Sequence, residues 1–346
     1  MPFAVNGRFL GRPVTGVERY GREMLAALPG GVTIVQPGRG WVRWRGHVWE
    51  QLVLPRRLSP EAVLWSPANT GPLVAPRHIV TIHDLAVVEH PKWFRPSFAA
   101  WYGWLVPRLA RRAKRVITDS DFTRRRLIAL GIVDRKIVVV RPGVSPFFRP
   151  ATQGERDRVR GKLGLGKRFL LFLGSLEPRK NLSALVQAWG RISPSFPDIE
   201  LAIGGASGPS FGRVDLEGEP GAIRRLGYVP DKDLPGLYSS AEAFALVSHY
   251  EGFGLTALEA MACGAPLVLA HAGALPETAG EAARYVNPGN VAEIADGLAE
   301  VLADAGSRRR LRESGLARAR AFRWDEAAAG VWDVMRAVGE GLERDG

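Results

Sequence analysis

The chain has 346 residues, of which 46% are hydrophobic, and a formal net charge of +12 at pH 7. This length exceeds one ordinary hydrophobic core, so we expect two domains. The single cysteine, Cys263, excludes an intrachain disulfide and reads as a small core residue in a reducing cytoplasm, and no uncharged apolar run approaches the roughly 20 residues that cross a bilayer. We therefore expect a cytoplasmic protein, soluble or peripheral on the cytoplasmic face of the inner membrane.

The positive charge is concentrated in the first half of the chain. Residues 1–150 hold 24 Lys and Arg against 9 Asp and Glu, whereas residues 151–346 hold 23 against 26. A basic half of this kind suits nucleic acid, an anionic membrane or a phosphorylated substrate, and charge alone does not choose among them.

Short apolar runs alternate with amphipathic helical segments along both halves, which predicts an α/β protein with parallel sheets. In the first half the predicted strands are 2–6, 32–36, 63–66, 78–82, 116–118 and 137–141, and the predicted helices are 17–28, 96–115 and 120–130. A proline-rich exit at 142–150 places the linker near 146–153. In the second half the predicted strands are 169–173, 201–205, 222–229, 243–247, 265–270 and 285–286, and the predicted helices include 182–191, 233–240 and 255–262.

Three features of the first half bear on function. Gly16 stands at a loop-to-helix junction suited to a phosphate, although many such turns carry glycine for geometry alone. His83 follows an apolar strand, at the end where ligands bind to parallel sheets, so it is well placed to contact a substrate. The alternative is a histidine that only hydrogen-bonds a loop carbonyl. The run Asp119-Ser120-Asp121 is read as helix capping rather than as a metal site.

The helix predicted over 96–115 carries tryptophans followed by arginines. It is either a core helix with a solvated basic end or an interfacial helix, with its aromatic rings at the headgroups and its cations on anionic lipid.

The second half contains the strongest chemical pattern, from His249 to Gly264. Two glycines end a buried strand and a helix begins at Leu255, which creates an anion site at the helix N-terminus. Two carboxylates, Glu251 and Glu259, frame this helix start. Glu259 lies among apolar residues and needs hydroxyls or cations, which a ribose diol would supply.

A second cationic motif precedes the next predicted helix. Arg179 and Lys180 stand at its start, where cations oppose the helix dipole. An anion shared by both, such as a diphosphate, would resolve the conflict, and the alternative is a solvated pair of charges.

The order of these motifs resembles the family-4 retaining glycosyltransferases. The similar segments are Asn6-Gly7-Arg8, Thr15 to Tyr20, Thr81 to Asp84, Thr118-Asp119-Ser120, Glu177 to Asn181, Glu251 to Leu255 with Glu259, and Gly273 to Glu277. The pair of amino-terminal motifs is similar to those of enzymes that build bacterial surface polysaccharides, several of which are mannosyltransferases.

The resemblance implies a GT-B fold, with two facing Rossmann-like domains and a cleft between them. The implied domains are 1–148 for the acceptor and 149–324 for the nucleotide sugar, followed by a C-terminal helix, 325–346, that packs back on the first domain. The implied activity is metal-independent, retaining transfer of a hexose, with mannose favoured, from a nucleotide diphosphate sugar to a glycan or a lipid-linked saccharide. No cofactor is implied beyond the co-substrate, for which GDP-mannose is favoured, and we expect a monomer or weak homodimer.

The resemblance also implies roles for individual residues. His83, Glu251 and Lys180 are the catalytic candidates, with His83 and Glu251 on the transferred sugar and Lys180 on the diphosphate. The donor-binding candidates are Gly16, Ser175, Arg179, Lys180, Tyr228, Val229, Glu251, Phe253, Gly254, Leu255 and Glu259. Ser175 departs from the pattern, because many relatives have arginine there, and Arg179 is the candidate replacement for the missing cation.

Three rival readings remain open from the sequence. A GT-B epimerase or phosphorylase would keep the fold and change the reaction. A nucleic-acid-binding protein would use the basic half, although the aromatic residues lack an RNA-binding signature, so we expect no nucleic-acid partner. A catalytically idle relative is the third, and Ser175 permits it.

Overall fold

The structure, a computed structural model, describes residues 2–12, 14–38, 40–41, 44–206 and 222–341. The end of the predicted C-terminal segment, 342–346, therefore lies outside the described residues. Two six-stranded sheets organise the chain, and every strand pairing in them is parallel. The predicted α/β class is confirmed.

The first sheet has the strand order β2-β1-β3-β4-β5-β6 and the second β12-β11-β10-β7-β8-β9. The strands of the first are β1 (Phe3–Asn6), β2 (Val32–Val35), β3 (Val63–Ser66), β4 (His78–Thr81), β5 (Arg115–Thr118) and β6 (Ile137–Val139). Those of the second are β7 (Arg168–Leu173), β8 (Ile199–Gly204), β9 (Ile223–Gly227), β10 (Ala243–Leu246), β11 (Leu267–Ala270) and β12 (Ala283–Val286). The order reverses between β1 and β3 in one sheet and between β7 and β10 in the other, and ligands bind open α/β sheets at the carboxyl ends beside such switch points.

Helices connect the strands in the described parts of the chain. They are α1 (Gly16–Ala27), α2 (Trp44–Val48), α3 (Ala86–Glu89), α4 (Pro96–Arg112), α5 (Asp121–Ala129), α6 (Gln153–Leu163), α7 (Leu182–Ile192), α8 (Leu234–Ser240), α9 (Leu255–Ala262), α10 (Leu275–Ala279), α11 (Val291–Ala303), α12 (Ala305–Ala319) and α13 (Trp324–Glu340). Short 3₁₀ turns cover Gly7–Gly11, Pro55–Arg57, Pro91–Trp93, Asp134–Lys136, Pro178–Lys180, Ser193–Ser195 and Asp231–Asp233, and a π-helical turn covers Trp49–Val53.

The chain forms two compact units. The first comprises Met1–Pro91, Pro96–Gly143 and Arg323–Gly346, and the second comprises Lys92–Arg95 and Val144–Phe322. The division after Gly143 falls five residues before the sequence-based boundary at 148. In the first unit α13 buries Trp324, Val331 and Met335 against the sheet residues and α1.

The central strands of both sheets are buried on both faces, in agreement with their largely apolar sequences. In β7 the residues from Phe169 to Phe172 are fully buried, as expected for a parallel strand flanked by helices. Cys263 is buried in the same core, and burial raises the pKa of its thiol well above the ordinary value, which agrees with its reading as a core residue.

A helix that the sequence analysis missed, α6, begins at the end of the region predicted as a linker. Thr152 caps α6 by accepting a hydrogen bond from Glu155 N, and Glu155 in turn accepts one from Thr152 N at 2.7 Å. This capping box starts the helix at Gln153, so the linker predicted over 146–153 ends where α6 begins.

Candidate active site

The loops after β7 and β10 lie at the switch point of the second sheet. The first loop carries Ser175 to Asn181, and the second carries Ser248 to Gly254 and leads into α9. Parallel strands that are neighbours end at the same edge, so the two motifs singled out in the sequence meet there.

Glu251 is the centre of a buried ion-pair cluster. Its Oε1 accepts hydrogen bonds from Lys180 Nζ and Ser248 Oγ, each at 2.7 Å, and its Oε2 accepts one from the Arg179 guanidinium at 3.0 Å. Burial alone raises the pKa of Glu251, but the cations Lys180 and Arg179 outweigh it and hold the value at about 2. Both cations therefore share one anion in this structure, the Glu251 carboxylate.

A second buried carboxylate, Glu177, closes the cluster from the other side. Its Oε1 accepts hydrogen bonds at 2.8 Å from both Ser175 Oγ and Arg179. Arg179 also donates to the carbonyl of Tyr250 at 3.0 Å. The sequence motif contained Glu177, but no role was assigned to it, because only the fold brings it to Arg179. The hydroxyl of Ser175 supports Glu177 and supplies no cation.

The start of α9 presents backbone donors beside this cluster. Gly254 has φ +94°, and a Cβ there would lie 2.7 Å from the Leu275 side chain, so the position requires glycine. Among the described residues the N–H groups of Leu255 and Thr256 have no hydrogen-bond acceptor. The carbonyl of Phe253 is already bonded to the Thr278 hydroxyl, which leaves its N–H as the main-chain group for a ligand.

Glu259 is buried within α9, as the sequence suggested, and it meets a hydroxyl. The Tyr238 hydroxyl donates to Glu259 Oε2 at 3.2 Å. The sequence reading missed Tyr238, because its contact with Glu259 depends on how α8 packs on α9.

Tight backbone contacts fix the edge of β7, β8 and β9. Gly205 has φ +128°, and a Cβ there would lie 1.8 Å from the Gly174 carbonyl oxygen. Gly205 N donates to Gly227 O at 2.7 Å. Of the two residues that follow Gly227, the Tyr228 side chain is 68% exposed, whereas Val229 is buried in the core.

Two further candidates belong to the first unit. Gly16 is exposed and begins α1, where Thr15 N donates to Glu18 at 3.2 Å. His83 is buried after β4, with Nδ1 2.7 Å from Asp119 Oδ2 and Nε2 2.8 Å from the Pro67 carbonyl oxygen. Burial lowers the pKa of His83, but the Asp119 carboxylate raises it above the ordinary value overall.

Asp119 is a neighbour of the His83 ring that the capping interpretation missed. Ser120 does cap α5, since its hydroxyl accepts a hydrogen bond from Thr123 N at 3.1 Å. Asp119 instead bonds the His83 ring, so only part of the Asp-Ser-Asp run is capping chemistry. Both ring nitrogens of His83 are engaged, one of them by a loop carbonyl as the alternative reading expected.

The structure brings Ser175, Arg179, Lys180, Glu251, Phe253, Gly254 and Leu255 to one edge of the second sheet, with Glu259 farther along α9. Gly16 and His83 lie in the first unit. No group of three or more His, Cys, Asp or Glu side chains suited to a metal occurs within the described ranges. None of the helices in the described part of the chain is long and apolar enough to cross a membrane.

Two family models match the chain. The model described as glycosyl transferases group 1 matches residues 154–318, and the model described as glycosyltransferase family 4 matches residues 63–146.

Curated relatives agree with these models. The O-antigen chain mannosyltransferase B of Escherichia coli is 33% identical over 72% of this chain and 67% of its own length. The MMP alpha-(1->4)-mannosyltransferase of Mycolicibacterium hassiacum is 32% identical over 75% of this chain and 63% of its own length. Thus the matched region spans between about half and two thirds of the curated relatives.

Solved structures share the fold across nearly the full length of the chain. The sucrose-phosphate synthase of Thermosynechococcus elongatus aligns with a TM-score of 0.73 at 20% identity, covering 98% of this chain and 99% of that one. HepE of Anabaena, solved with UDP and glucose, aligns with a TM-score of 0.72 at 18% identity, covering 99% and 100%. The predicted GT-B fold is confirmed, and the chain is a glycosyltransferase that belongs to family 4.

Proposed function

We propose that this glycosyltransferase transfers a hexose, with retention of configuration, from a nucleotide diphosphate sugar to a glycan or lipid-linked saccharide in polysaccharide biosynthesis. The observation that carries the proposal is the buried cluster of Lys180, Arg179 and Glu251 beside the start of α9. The names of the mannosyltransferase relatives support mannose as the sugar and GDP-mannose as the donor.

The cluster suits departure of a diphosphate. Cleavage of the anomeric C–O bond places negative charge on the leaving phosphate, which Lys180, Arg179 and the free N–H groups of Leu255 and Thr256 stabilise without a metal. Glu251 binds hydroxyls of the sugar, and Glu259 binds the ribose hydroxyls alongside Tyr238. Gly16, Ser175, Phe253, Tyr228 and Val229 complete the proposed donor contacts.

Retention follows from attack on the same face that the diphosphate leaves. In this proposal the acceptor hydroxyl attacks the anomeric carbon, and its proton passes to the departing phosphate oxygen. No glycosyl-enzyme intermediate forms. His83 contacts the primary hydroxyl of the transferred sugar, which requires its Nε2 to leave the Pro67 carbonyl.

A thermal-shift screen tests the donor. A ligand that binds only the folded state raises the unfolding temperature in proportion to its saturation. GDP and GDP-mannose should therefore raise the unfolding temperature more than UDP, dTDP and their sugars. A larger shift with UDP or dTDP would refute the choice of guanine.

Turnover tests the chemistry. We expect Lys180→Ala to lower the rate of GDP-mannose consumption by about 10²- to 10³-fold, because it removes a donor to the leaving group. Lys167→Ala is the matched control, since Lys167 is exposed in the same unit. Equal activity of the two variants would support the interpretation as a catalytically idle relative. Formation of free mannose 1-phosphate would support a phosphorylase. A product with the inverted anomeric configuration, or a trapped glycosyl-enzyme adduct, would refute the mechanism.

Exposed aromatic and basic side chains on the first unit support a membrane-associated acceptor. Trp44 is 70% exposed and Trp104 is 42% exposed, and the Arg108 guanidinium lies 4.7 Å from the Trp104 ring centroid. Trp101 Nε1 donates to His47 Nδ1 at 3.1 Å and so joins α4 to α2. We propose that this aromatic and basic surface binds anionic lipid on the cytoplasmic face of the membrane.

Vesicle flotation at low salt tests this part separately. The chain should float with vesicles containing anionic phosphatidylglycerol and not with neutral phosphatidylcholine, and Trp44→Ala should weaken the association. No difference between the two vesicle types would refute it, and salt-sensitive binding of duplex DNA at physiological salt would favour the nucleic-acid reading instead.

A further inference from the structure

The loop after β3 lies at the switch point of the first sheet, and side chains from several segments hold it. These contacts are Thr70 Oγ1 to Glu50 Oε1 at 3.0 Å, Arg8 to Thr70 Oγ1 at 3.1 Å, and Gln51 Nε2 to Gly71 O at 2.8 Å. A loop fixed in this way presents its remaining groups in one geometry, which lowers the entropy cost of binding.

Asn69 is the residue at the centre of this loop. Its φ is +59°, a left-handed conformation that asparagine adopts more readily than most residues with a side chain. Its backbone N–H donates to Thr81 O at 3.1 Å, and its Oδ1 accepts from His83 N at 2.7 Å. Because the His83 N–H can only donate, the atom facing it must be the amide oxygen, which fixes the orientation of the side chain.

The Nδ2 group of Asn69 is therefore a positioned donor. Across the described residues it has no hydrogen-bond acceptor, and the residue is partly exposed. The opposite side of the same amide is bound, so Nδ2 cannot rotate away without breaking a 2.7 Å hydrogen bond.

The charges around the loop favour a neutral oxygen as its partner. Glu50 is paired with Arg8 at 3.0 Å, and Asp119 is paired with His83 at 2.7 Å. Arg8 and His83, the cationic side chains of these two pairs, are therefore already matched by carboxylates, whereas a hydroxyl oxygen accepts well from a neutral amide.

We propose that Asn69 Nδ2 binds a hydroxyl oxygen of the saccharide acceptor. This assignment rests on the proposed transfer to a saccharide and adds the residue of the first unit that recognises it. In the proposed function the nucleotide is held mainly by residues of the second unit, so we expect Asn69 substitutions to weaken acceptor binding and to leave GDP binding unchanged.

The substitution Asn69→Asp separates binding from folding. The carboxylate keeps an oxygen for His83 N–H and removes the donor, while the shape of the side chain is unchanged. Asn290→Asp is the matched control, because Asn290 Oδ1 caps α11 at an exposed site where aspartate serves equally well. Asn69→Gly keeps the positive φ and serves as a second variant if the added charge prevents folding.

The experiment measures binding of methyl α-D-mannopyranoside to the full chain by saturation-transfer NMR, with GDP binding followed by thermal shift. We expect Asn69→Asp to weaken glycoside binding about tenfold or more and Asn69→Gly about 2- to 10-fold, with GDP binding unchanged in both and the control equal to wild type.

Glycoside binding that survives in both Asn69 variants would overturn the assignment, as would absence of binding to the wild type. Weakened GDP or GDP-mannose binding in the variants would place Asn69 on the donor and also overturn it. If glycoside binding depends on Asn69 but neither GDP nor GDP-mannose binds the wild type, the proposed donor is wrong and the Asn69 assignment stands.

Discussion

The substitution Glu251→Gln should destabilise the second unit in a pH-dependent way. The glutamine keeps the size of the side chain but leaves Lys180 and Arg179 without their shared anion. Removing one partner of a buried ion pair is costly because the other charge remains buried.

The magnitude follows from the pKa of Glu251. The value is about 2 in the folded protein against 4.5 for the unperturbed group, and each pKa unit corresponds to about 1.4 kcal/mol. Because the pKa of Glu251 is lower in the folded state, its ionised carboxylate contributes stability that is fully present above pH 4.5 and is lost as the pH falls towards 2. We therefore expect the difference in unfolding free energy between wild type and Glu251→Gln to be about 3 kcal/mol at pH 7 and about 1 kcal/mol at pH 3.

Urea unfolding at the two pH values measures this difference. Pulsed hydrogen exchange, read on peptides from β7 and β10, reports the second unit separately from the first. Carboxylates elsewhere titrate in both proteins, so their effects cancel in the difference. Glu313→Gln, at an exposed position, should show no difference at either pH. A Glu251→Gln difference that is equal at pH 7 and pH 3 would refute the ion-pair account.

Three further predictions concern single contacts. Tyr238→Phe should weaken GDP binding by about 2- to 10-fold in titration calorimetry, because Glu259 loses its hydroxyl donor, and an unchanged affinity would argue against that contact. Gly205→Ala should prevent stable folding of the second unit, detected by circular dichroism, since its Cβ meets a carbonyl oxygen; native stability would contradict the tight turn. Asp119→Asn should lower the pKa of His83, which an NMR titration measures. Stabilisation by the charged His83 ring is lost as the pH rises through that pKa, so the variant should lose it at a lower pH than the wild type.

Elements with strong local signals were predictable, and contacts between elements were not. The glycine positions and the run of helix-forming residues predict a helix that begins at Leu255 and ends near Gly264. The structure places α9 over Leu255–Ala262. The helix α6 was missed because its polar sequence lacks an apolar stripe, and only Val159 is fully buried. Its capping box was the available signal.

The partners of the site residues depended on the fold. Arg179 and Glu251 are 72 positions apart, and His83 and Asp119 are 36 apart, so no local pattern indicates either pair. The motifs gave the residue types at each strand end, and the strand order decides which ends are neighbours. His83 illustrates the limit, since its position suggested a ligand contact, yet its ring bonds Asp119 and Pro67.

The absence of arginine at position 175 has a physical consequence for the cluster. With serine there, the two cations Arg179 and Lys180 face the two carboxylates Glu177 and Glu251, so the charges balance before any ligand arrives. A diphosphate that binds these cations must compete with Glu251, because Oε1 already accepts two hydrogen bonds. In the proposed function Lys180 turns to the phosphate, and we then expect Glu251 to regain acceptor capacity for sugar hydroxyls. We expect phosphate binding and sugar binding to be coupled through this one carboxylate, with Glu177 holding Arg179 in place during the exchange.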